Sequence, residues 1–124
     1  MIVGLGTDIC ENQRIAQLYA RYGERFLKRV FFPEEIQYCL VRKNPVPHLT
    51  ARFALKEAFI KALGKNRDLT LSYRDVGIVG GEGKKNIIVK GELLSILEKT
   101  GAQNIHFSIA HENLFSSATV ILEK

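Results

Sequence analysis

The sequence predicts an α+β domain in which helices pack on an antiparallel sheet, with a single domain spanning residues 1–124. Helical periodicity is concentrated in the first half of the chain, whereas short runs typical of strands dominate the second half. The 124 residues, 46% of them hydrophobic, are enough for one core, and no repeat or linker divides them.

The first half opens with a predicted strand over residues 1–9 and continues with helices. Pro33 followed by two glutamates is a typical helix start. Pro45 and Pro47 predict a break, after which Thr50 would cap a long helix that ends at Gly64. The helices are therefore predicted over residues 11–22, 24–30, 33–42 and 50–64.

The second half is predicted to contain five strands and one short helix. A Gly-Gly-Glu-Gly turn at residues 80–83 joins two of the strands, and residues 111–114 join the last two. The strands are predicted over residues 69–73, 76–79, 86–90, 105–110 and 115–122, with the helix over 92–99.

Composition restricts the class of protein. There is no run of about eighteen apolar residues and no signal-peptide pattern, so we expect a cytoplasmic protein without a membrane segment. Cys10 and Cys39 are isolated in the sequence, which favours buried thiols over a zinc site or a disulfide. The net charge of +5 favours an anionic partner, and nucleic acid, a phosphorylated cofactor and an acidic protein all remain open.

The opening stretch GLGTDI places a carboxylate on a strand face that is almost bare. Glycine in a strand lets a ligand or another backbone approach closely, but a dinucleotide-binding fingerprint would need glycine at Ile9. Asp8 is therefore either a functional acid or the cap of the next helix, behind glycines that admit a packed helix. By alternation, one face carries Val3, Leu5, Thr7 and Ile9, and the other carries Gly4, Gly6 and Asp8.

The long helix, ARFALKEAFIKALG, is apolar nearly all round and should be largely buried. Glu57 and Lys61, one turn apart, form either a simple intrahelical ion pair or part of a cleft. If Glu57 meets Asp8, the two carboxylates repel and need a cation between them, and magnesium suits two carboxylates together with phosphate oxygens. The arc predicted to face the core consists of Ala54, Leu55, Ala58, Phe59 and Ala62.

Three motifs, GLGTDI, RFALKEAFIKALG and SIAH, together resemble the holo-[acyl-carrier-protein] synthase family, the short class of 4'-phosphopantetheinyl transferases. The resemblance extends to the RFLKRVFFPEE segment. It implies transfer of the 4'-phosphopantetheine group from coenzyme A to a serine of apo acyl carrier protein, in support of fatty acid biosynthesis. The other product is adenosine 3',5'-bisphosphate. It also implies Mg²⁺ as cofactor and a homotrimer with active sites between subunits.

The resemblance also implies roles for individual residues. Asp8 and Glu57 match magnesium ligands, and Lys61 matches a lysine beside the coenzyme A diphosphate, which makes these three the predicted catalytic residues. We expect Lys61 to stabilise charge, although Lys61 and a metal-bound water are both candidates for the general base. The positions that match the coenzyme pocket or its surroundings are Arg52, Lys56, Gly64 and His111.

The basic residues Arg14, Arg21 and Arg25 are the predicted docking face for the acidic carrier protein, and a solvated basic surface without a partner is the alternative. Three positions depart from the family pattern. Ala110 replaces a hydroxyl residue before the histidine, Lys65 replaces a small residue after Gly64, and a threonine would be the usual cap at Phe32.

Two other functions are compatible with part of the sequence. A nucleic-acid-binding domain fits the positive charge, but no motif of that class is present and the two acids would repel a phosphate backbone. A metal-dependent nucleotide hydrolase is the nearer alternative, because paired acids with basic residues suit diphosphate cleavage equally well.

Overall fold

The computed structural model describes residues 1–64, 70–80 and 83–124. A 3-10 helix at Thr70–Asp75 precedes the second strand. None of the helices in these ranges is long and apolar enough to cross a membrane. The elements are β1 (Ile2–Glu11), α1 (Asn12–Tyr22), α2 (Glu24–Val30), α3 (Pro33–Leu40), α4 (Pro45–Ala62), β2 (Val76–Val79), β3 (Asn86–Val89), α5 (Gly91–Thr100), β4 (Asn104–His111) and β5 (Phe115–Glu123).

The architecture confirms the predicted α+β class. An antiparallel sheet has the order β1-β5-β4, with the predicted hairpin between β4 and β5, and β2 and β3 pair as a separate ribbon. Helix α4 lies against β1 and β5 and buries all five residues of the predicted core arc. One apolar cluster lies between α4, α5 and the strands, and a second joins the first half of α4 to α1, α2 and α3.

The bare face of β1 faces helix α4. A methyl group added at Gly6 would overlap the carbonyl of Ala58, and one at Gly4 would overlap that of Ala62. The glycines thus admit a packed helix, as one interpretation predicted. The other half of that interpretation is wrong, because Asp8 lies within the strand and α1 begins only after Glu11, without a side-chain cap.

The other face of β1 is more exposed. Leu5, Thr7 and Ile9 are exposed together, as their alternation predicted. Alternation also predicts Val3 on this face, but Val3 packs against the main apolar cluster. The pairing register of β1 with β5 shifts between Ile2 and Gly4, and this irregularity separates Val3 from the exposed row.

Helix α4 begins earlier than the sequence predicts. Pro45 and Pro47 occupy its first turn, where backbone N–H groups need no partner within the helix, so they begin the helix in place of breaking it. Thr50 is therefore an interior residue and not the cap, and its hydroxyl donates to the carbonyl of Val46 at 2.8 Å.

The segment predicted as a strand over 69–73 is, from Thr70 onwards, a 3-10 helix, and Leu69 lies outside the described residues. The periodicity of a short apolar run does not distinguish a strand from a single helical turn. The carbonyl of Tyr73 is bonded by the Lys56 amine, in place of a neighbouring strand. Lys65 and the Gly81-Glu82 part of the predicted turn also lie outside the described residues.

Candidate active site

Asp8 and Lys61 meet across the contact between β1 and α4. The Lys61 Nζ donates to Asp8 Oδ1 at 2.9 Å and to the carbonyl of Thr7 at 3.1 Å. The Lys61 side chain is 54% exposed and that of Asp8 17% exposed, so the pair lies at the protein surface. Lys61 thus reaches the neighbouring strand, and its interpretation as the ion-pair partner of Glu57 is wrong.

Glu57 lies on the same helix, one turn before Lys61, and is partly buried. Its Oε1 accepts a hydrogen bond of 2.7 Å from the Tyr73 hydroxyl. Burial, this hydrogen bond and the charges of Glu57 and Asp8 all raise the pKa of Tyr73 far above its usual value. The charges of Asp8 and Glu57 also help burial to raise the pKa of Cys10. The charges of both carboxylates therefore act on the same two neighbours.

The donor set fits magnesium. Within the described ranges, no group of three or more His, Cys, Asp or Glu side chains that could hold a metal ion is present, so a metal at these carboxylates would need further ligands from water or substrate. Mg²⁺ is bound in proteins through one or two carboxylates, with its other oxygens from water and substrate phosphates. Asp8 and Glu57 are two carboxylates of the required kind, and each now has another partner: the Lys61 ammonium balances the charge of Asp8, and the Tyr73 hydroxyl donates to Glu57.

A second basic group forms around the first half of α4. The rings of His48 and His111 lie 4.7 Å apart between centroids, and the Arg52 guanidinium lies 4.3 Å from the Tyr38 ring centroid. Arg52 is only 2% exposed, and its Nε is a buried atom without a hydrogen-bond partner among the described residues. An unsatisfied buried donor is costly, which makes this group a candidate for binding an anion.

His48 was missed as a site candidate. It lies four residues before Arg52, on the same side of a helix, and its carbonyl accepts from Arg52 Nη1 at 3.3 Å. The predicted break at the prolines placed His48 outside the helix and concealed this spacing. Burial, followed by the positive charges of His111 and Arg52, lowers the pKa of His48.

Lys56 does not reach the surface. Its amine is fully buried and donates to Glu35 Oε1 at 2.8 Å and to the carbonyls of Tyr73 and Val76 at 3.1 and 2.5 Å. The resemblance implies that Lys56 either lines the coenzyme pocket or lies beside it, and the buried contacts of its amine are against direct binding of the coenzyme. Its partner Glu35 belongs to the Pro-Glu-Glu helix start that the sequence analysis identified. Glu35 Oε1 also accepts a hydrogen bond of 2.9 Å from the backbone N–H of Phe32, as expected of a glutamate in the first turn.

The remaining predicted residues lie at the surface. Gly64 follows α4 with a φ of +70°, a left-handed conformation that glycine adopts without strain. Arg14, Arg21 and Arg25 are exposed on α1 and α2.

Cys10 and Cys39 are buried and free, as predicted, and burial raises the pKa of Cys39 to about 11.

A groove of about 510 Å³ adjoins Tyr73, the hydrogen-bond partner of Glu57. The Arg14 guanidinium lies 5.4 Å from the Phe53 ring centroid, and the rings of Phe53 and Tyr73 are 5.3 Å apart. Tyr73 lines the groove and its hydroxyl donates to Glu57, so the basic surface ends one residue away from that carboxylate. The groove is lined by Arg14, Leu18, Tyr22, Arg25, Phe26, Arg29, Val30, Phe53 and Tyr73.

Five of the predicted site residues thus fall into two groups along α4. Asp8, Glu57 and Lys61 lie near the end of α4, whereas Arg52 and His111 lie beside its first half. Lys61 follows Arg52 by nine residues, or about 14 Å along the helix axis at 1.5 Å per residue.

Comparison with known proteins identifies the family. A holo-[acyl-carrier-protein] synthase of Leptospira biflexa is 39% identical over 124 residues, covering 99% of this chain and 98% of its own length. The solved holo-[acyl-carrier-protein] synthase from Neisseria meningitidis has a TM-score of 0.85 and 37% identity, with 100% of both chains covered. That of Helicobacter pylori, solved in complex with coenzyme A, has a TM-score of 0.80 at 28% identity and covers 96% of this chain and 99% of its own. Residues 4–118 match the model of the 4'-phosphopantetheinyl transferase superfamily, and the chain belongs to that family.

Proposed function

We propose that this chain is a magnesium-dependent holo-[acyl-carrier-protein] synthase acting in the cytoplasm. It transfers the 4'-phosphopantetheine group from coenzyme A to a serine of apo acyl carrier protein and releases adenosine 3',5'-bisphosphate. The observation that carries this proposal is the association of Asp8 and Lys61 across β1 and α4, next to Glu57. Relatives bearing this name match the chain over nearly its whole length.

Asp8 and Glu57 are the residues that would hold magnesium. A bound Mg²⁺ ion supplies charge neutralisation at the diphosphate as the bond between phosphorus and the leaving oxygen breaks. The support from this chain is a pair of carboxylates with different exposure and partners. Asp8 pairs with an exchangeable surface ammonium, and Glu57 is held by a neutral hydroxyl.

Lys61 suits charge stabilisation better than proton abstraction. Its nitrogen donates to a carboxylate and to a carbonyl, which is the arrangement of an ammonium group. With more than half of its side chain exposed, it is free to move from Asp8 to the diphosphate when the nucleotide binds. Positioned cations of this kind account for much of the rate enhancement in phosphoryl transfer.

The second basic group suits the other phosphate of the nucleotide. Arg52 and His111 have the donors to bind a phosphate, and the buried Nε of Arg52 lacks a partner among the described residues. In adenosine 3',5'-bisphosphate both phosphates are on one ribose, whereas Arg52 and Lys61 are separated by about 14 Å along the axis of α4. We therefore propose that each coenzyme binds between two subunits, with one group from each.

The exposed face of the sheet supports assembly. Leu5 and Ile9 are 62% and 67% exposed on the outer face of β1, and Ile2 at the start of the strand is 63% exposed. An apolar row of this kind on a sheet face is typical of an interface. We propose that the face mediates a homotrimer, and sedimentation measurements on the purified chain would detect a monomer if the proposal is wrong.

The basic groove suits the carrier protein. Arg14 and Arg25 line it together with aromatic residues, so an acidic helix with an apolar side would find complementary contacts. Charge reversal at Arg14 and Arg21 should weaken carrier binding and its salt dependence while leaving coenzyme A binding intact. Equal loss of coenzyme A binding would contradict a docking role.

The decisive experiment uses mass spectrometry of apo acyl carrier protein incubated with the purified chain, coenzyme A and Mg²⁺. We expect the carrier to gain the mass of the phosphopantetheine group, and we expect none in the presence of a chelator. Cleavage of coenzyme A without modification of the carrier would indicate the hydrolase alternative.

A further inference from the structure

Tyr73 is held at three points. Its backbone carbonyl accepts from the buried Lys56 amine at 3.1 Å, its ring lies 5.3 Å from that of Phe53, and its hydroxyl donates to Glu57 Oε1 at 2.7 Å. The first two contacts belong to the core and the third reaches the acidic pair. Tyr73 therefore connects a rigid part of the protein to a carboxylate whose function requires a defined orientation.

We propose that Tyr73 is a positioning residue that orients Glu57 for metal binding. A glutamate side chain has three torsions, and the last is broad, so a partly exposed carboxylate samples many orientations. A hydrogen bond from an anchored ring removes much of that freedom before the ion arrives. Hydrogen-bond partners of metal-binding carboxylates commonly have this effect. The inference rests on the proposed function of Glu57.

The chemical type of the donor supports this role. An arginine or lysine at the same place would compensate the carboxylate charge and compete with a metal ion. The phenol hydroxyl is neutral, so it fixes one oxygen while the carboxylate keeps its negative charge. The neighbouring acid, Asp8, has a charged partner, but that partner is the half-exposed ammonium of Lys61, which can exchange.

Tyr73→Phe removes the hydroxyl and keeps the ring against Phe53. We would titrate Mg²⁺ calorimetrically into the purified protein in the presence of coenzyme A and absence of carrier protein. The dissociation constant for Mg²⁺ should rise by about tenfold. In the transfer assay the Mg²⁺ concentration for half-maximal rate should rise by the same factor, and saturating Mg²⁺ should restore turnover.

Tyr19→Phe is the matched control, because Tyr19 packs against the same apolar cluster as Tyr73. Its Mg²⁺ affinity should equal that of the unaltered protein, and an equal loss in both variants would contradict a specific role for Tyr73. If the unaltered protein binds no Mg²⁺, the proposed function fails, and this inference with it. If the unaltered protein binds Mg²⁺ and Tyr73→Phe binds it equally well or more tightly, only the inference is wrong.

Discussion

Helix α4 carries two lysine–carboxylate pairs of nearly equal length in opposite environments. Lys56 and Glu35 are 2.8 Å apart with both side chains 0% exposed. Lys61 and Asp8 are 2.9 Å apart with side chains 54% and 17% exposed. The two lysines are five residues apart on the same helix. The distances are similar, so what distinguishes the pairs is their solvent exposure and the number of other partners.

The buried pair is saturated with partners. Glu35 also accepts from the backbone N–H groups of Phe32 and Ile78, and Lys56 also donates to two carbonyls. Burial lowers the pKa of Lys56, and the charge of Glu35 opposes that shift. Every group in such a network must remain paired, because an unpaired charge in the core is very costly. The inner pair, Lys56 and Glu35, is therefore structural. The outer pair, Lys61 and Asp8, is free to exchange partners during a reaction.

Lys56→Met should have the largest effect on the free energy of unfolding, a loss of about 3 to 5 kcal/mol, because it leaves the Glu35 carboxylate buried without its cation. Urea denaturation measures this loss. In the control, Lys56→Met combined with Glu35→Gln should recover part of the stability, since the core charge is then absent. A loss below about 1 kcal/mol in the single variant would contradict the structural role.

Gly6→Ala tests whether close packing of β1 on α4 is needed for the outer pair. The added methyl group overlaps the carbonyl of Ala58, so the strand and helix must separate, at a cost of about 1 to 3 kcal/mol. That movement takes Asp8 away from Lys61 and should lower transfer activity even at saturating Mg²⁺. Normal activity in a destabilised variant would show that transfer does not depend on the close approach of Asp8 and Lys61.

Patterns in the sequence predicted the elements that carry the outer pair, but not the pair itself. Alternation in GLGTDI and the apolar arc of α4 indicated that the glycines of β1 could admit a packed helix and that α4 is largely buried. The family resemblance implied roles for Asp8 and Lys61, but Lys61 was expected beside Glu57 or the diphosphate and not bonded to Asp8. Whether the Lys56 side chain is buried or exposed depends on Glu35, whose carboxylate comes from a different helix. A lysine on an apolar helix has the same local pattern whether it reaches solvent or a buried acid, so only tertiary packing decides.

The start of α4 shows a second limit. Two prolines near each other favour a break, but the same residues are compatible with the first turn of a helix. The choice depends on the preceding backbone, which starts the helix after Asn44. The earlier start adds His48 to the helix and brings it next to His111.

Lys61→Met should change stability little, by less than about 1 kcal/mol, because a half-exposed ion pair contributes little to folding. Turnover should fall by roughly 100-fold, since the variant loses a cation at the diphosphate. Lys56→Met makes the same chemical change at the buried position. Lys56→Met should therefore lower the free energy of unfolding most, and Lys61→Met should lower turnover at nearly unchanged stability. Lys61→Arg should keep more of the activity, and unaltered turnover in Lys61→Met would refute its catalytic assignment.

His48 is intermediate in burial and should have the smallest effect, one that appears only with pH. The groups that influence it are His111, Arg52, Arg42 and Lys85, and with burial they lower its pKa in the folded state. Between that lowered pKa and about 6.5, the unfolded chain binds more protons at His48 than the folded one, so stability falls as the pH falls through this window.

His48→Gln removes this contribution. Between about pH 7 and pH 5 the variant should lose slightly less stability than the unaltered protein, because solvent screens the charges around a partly exposed ring. Urea denaturation at the two pH values measures the difference. A larger loss in the variant at low pH would mean that protonated His48 has a favourable partner, which would place an anion beside Arg52 in the folded protein.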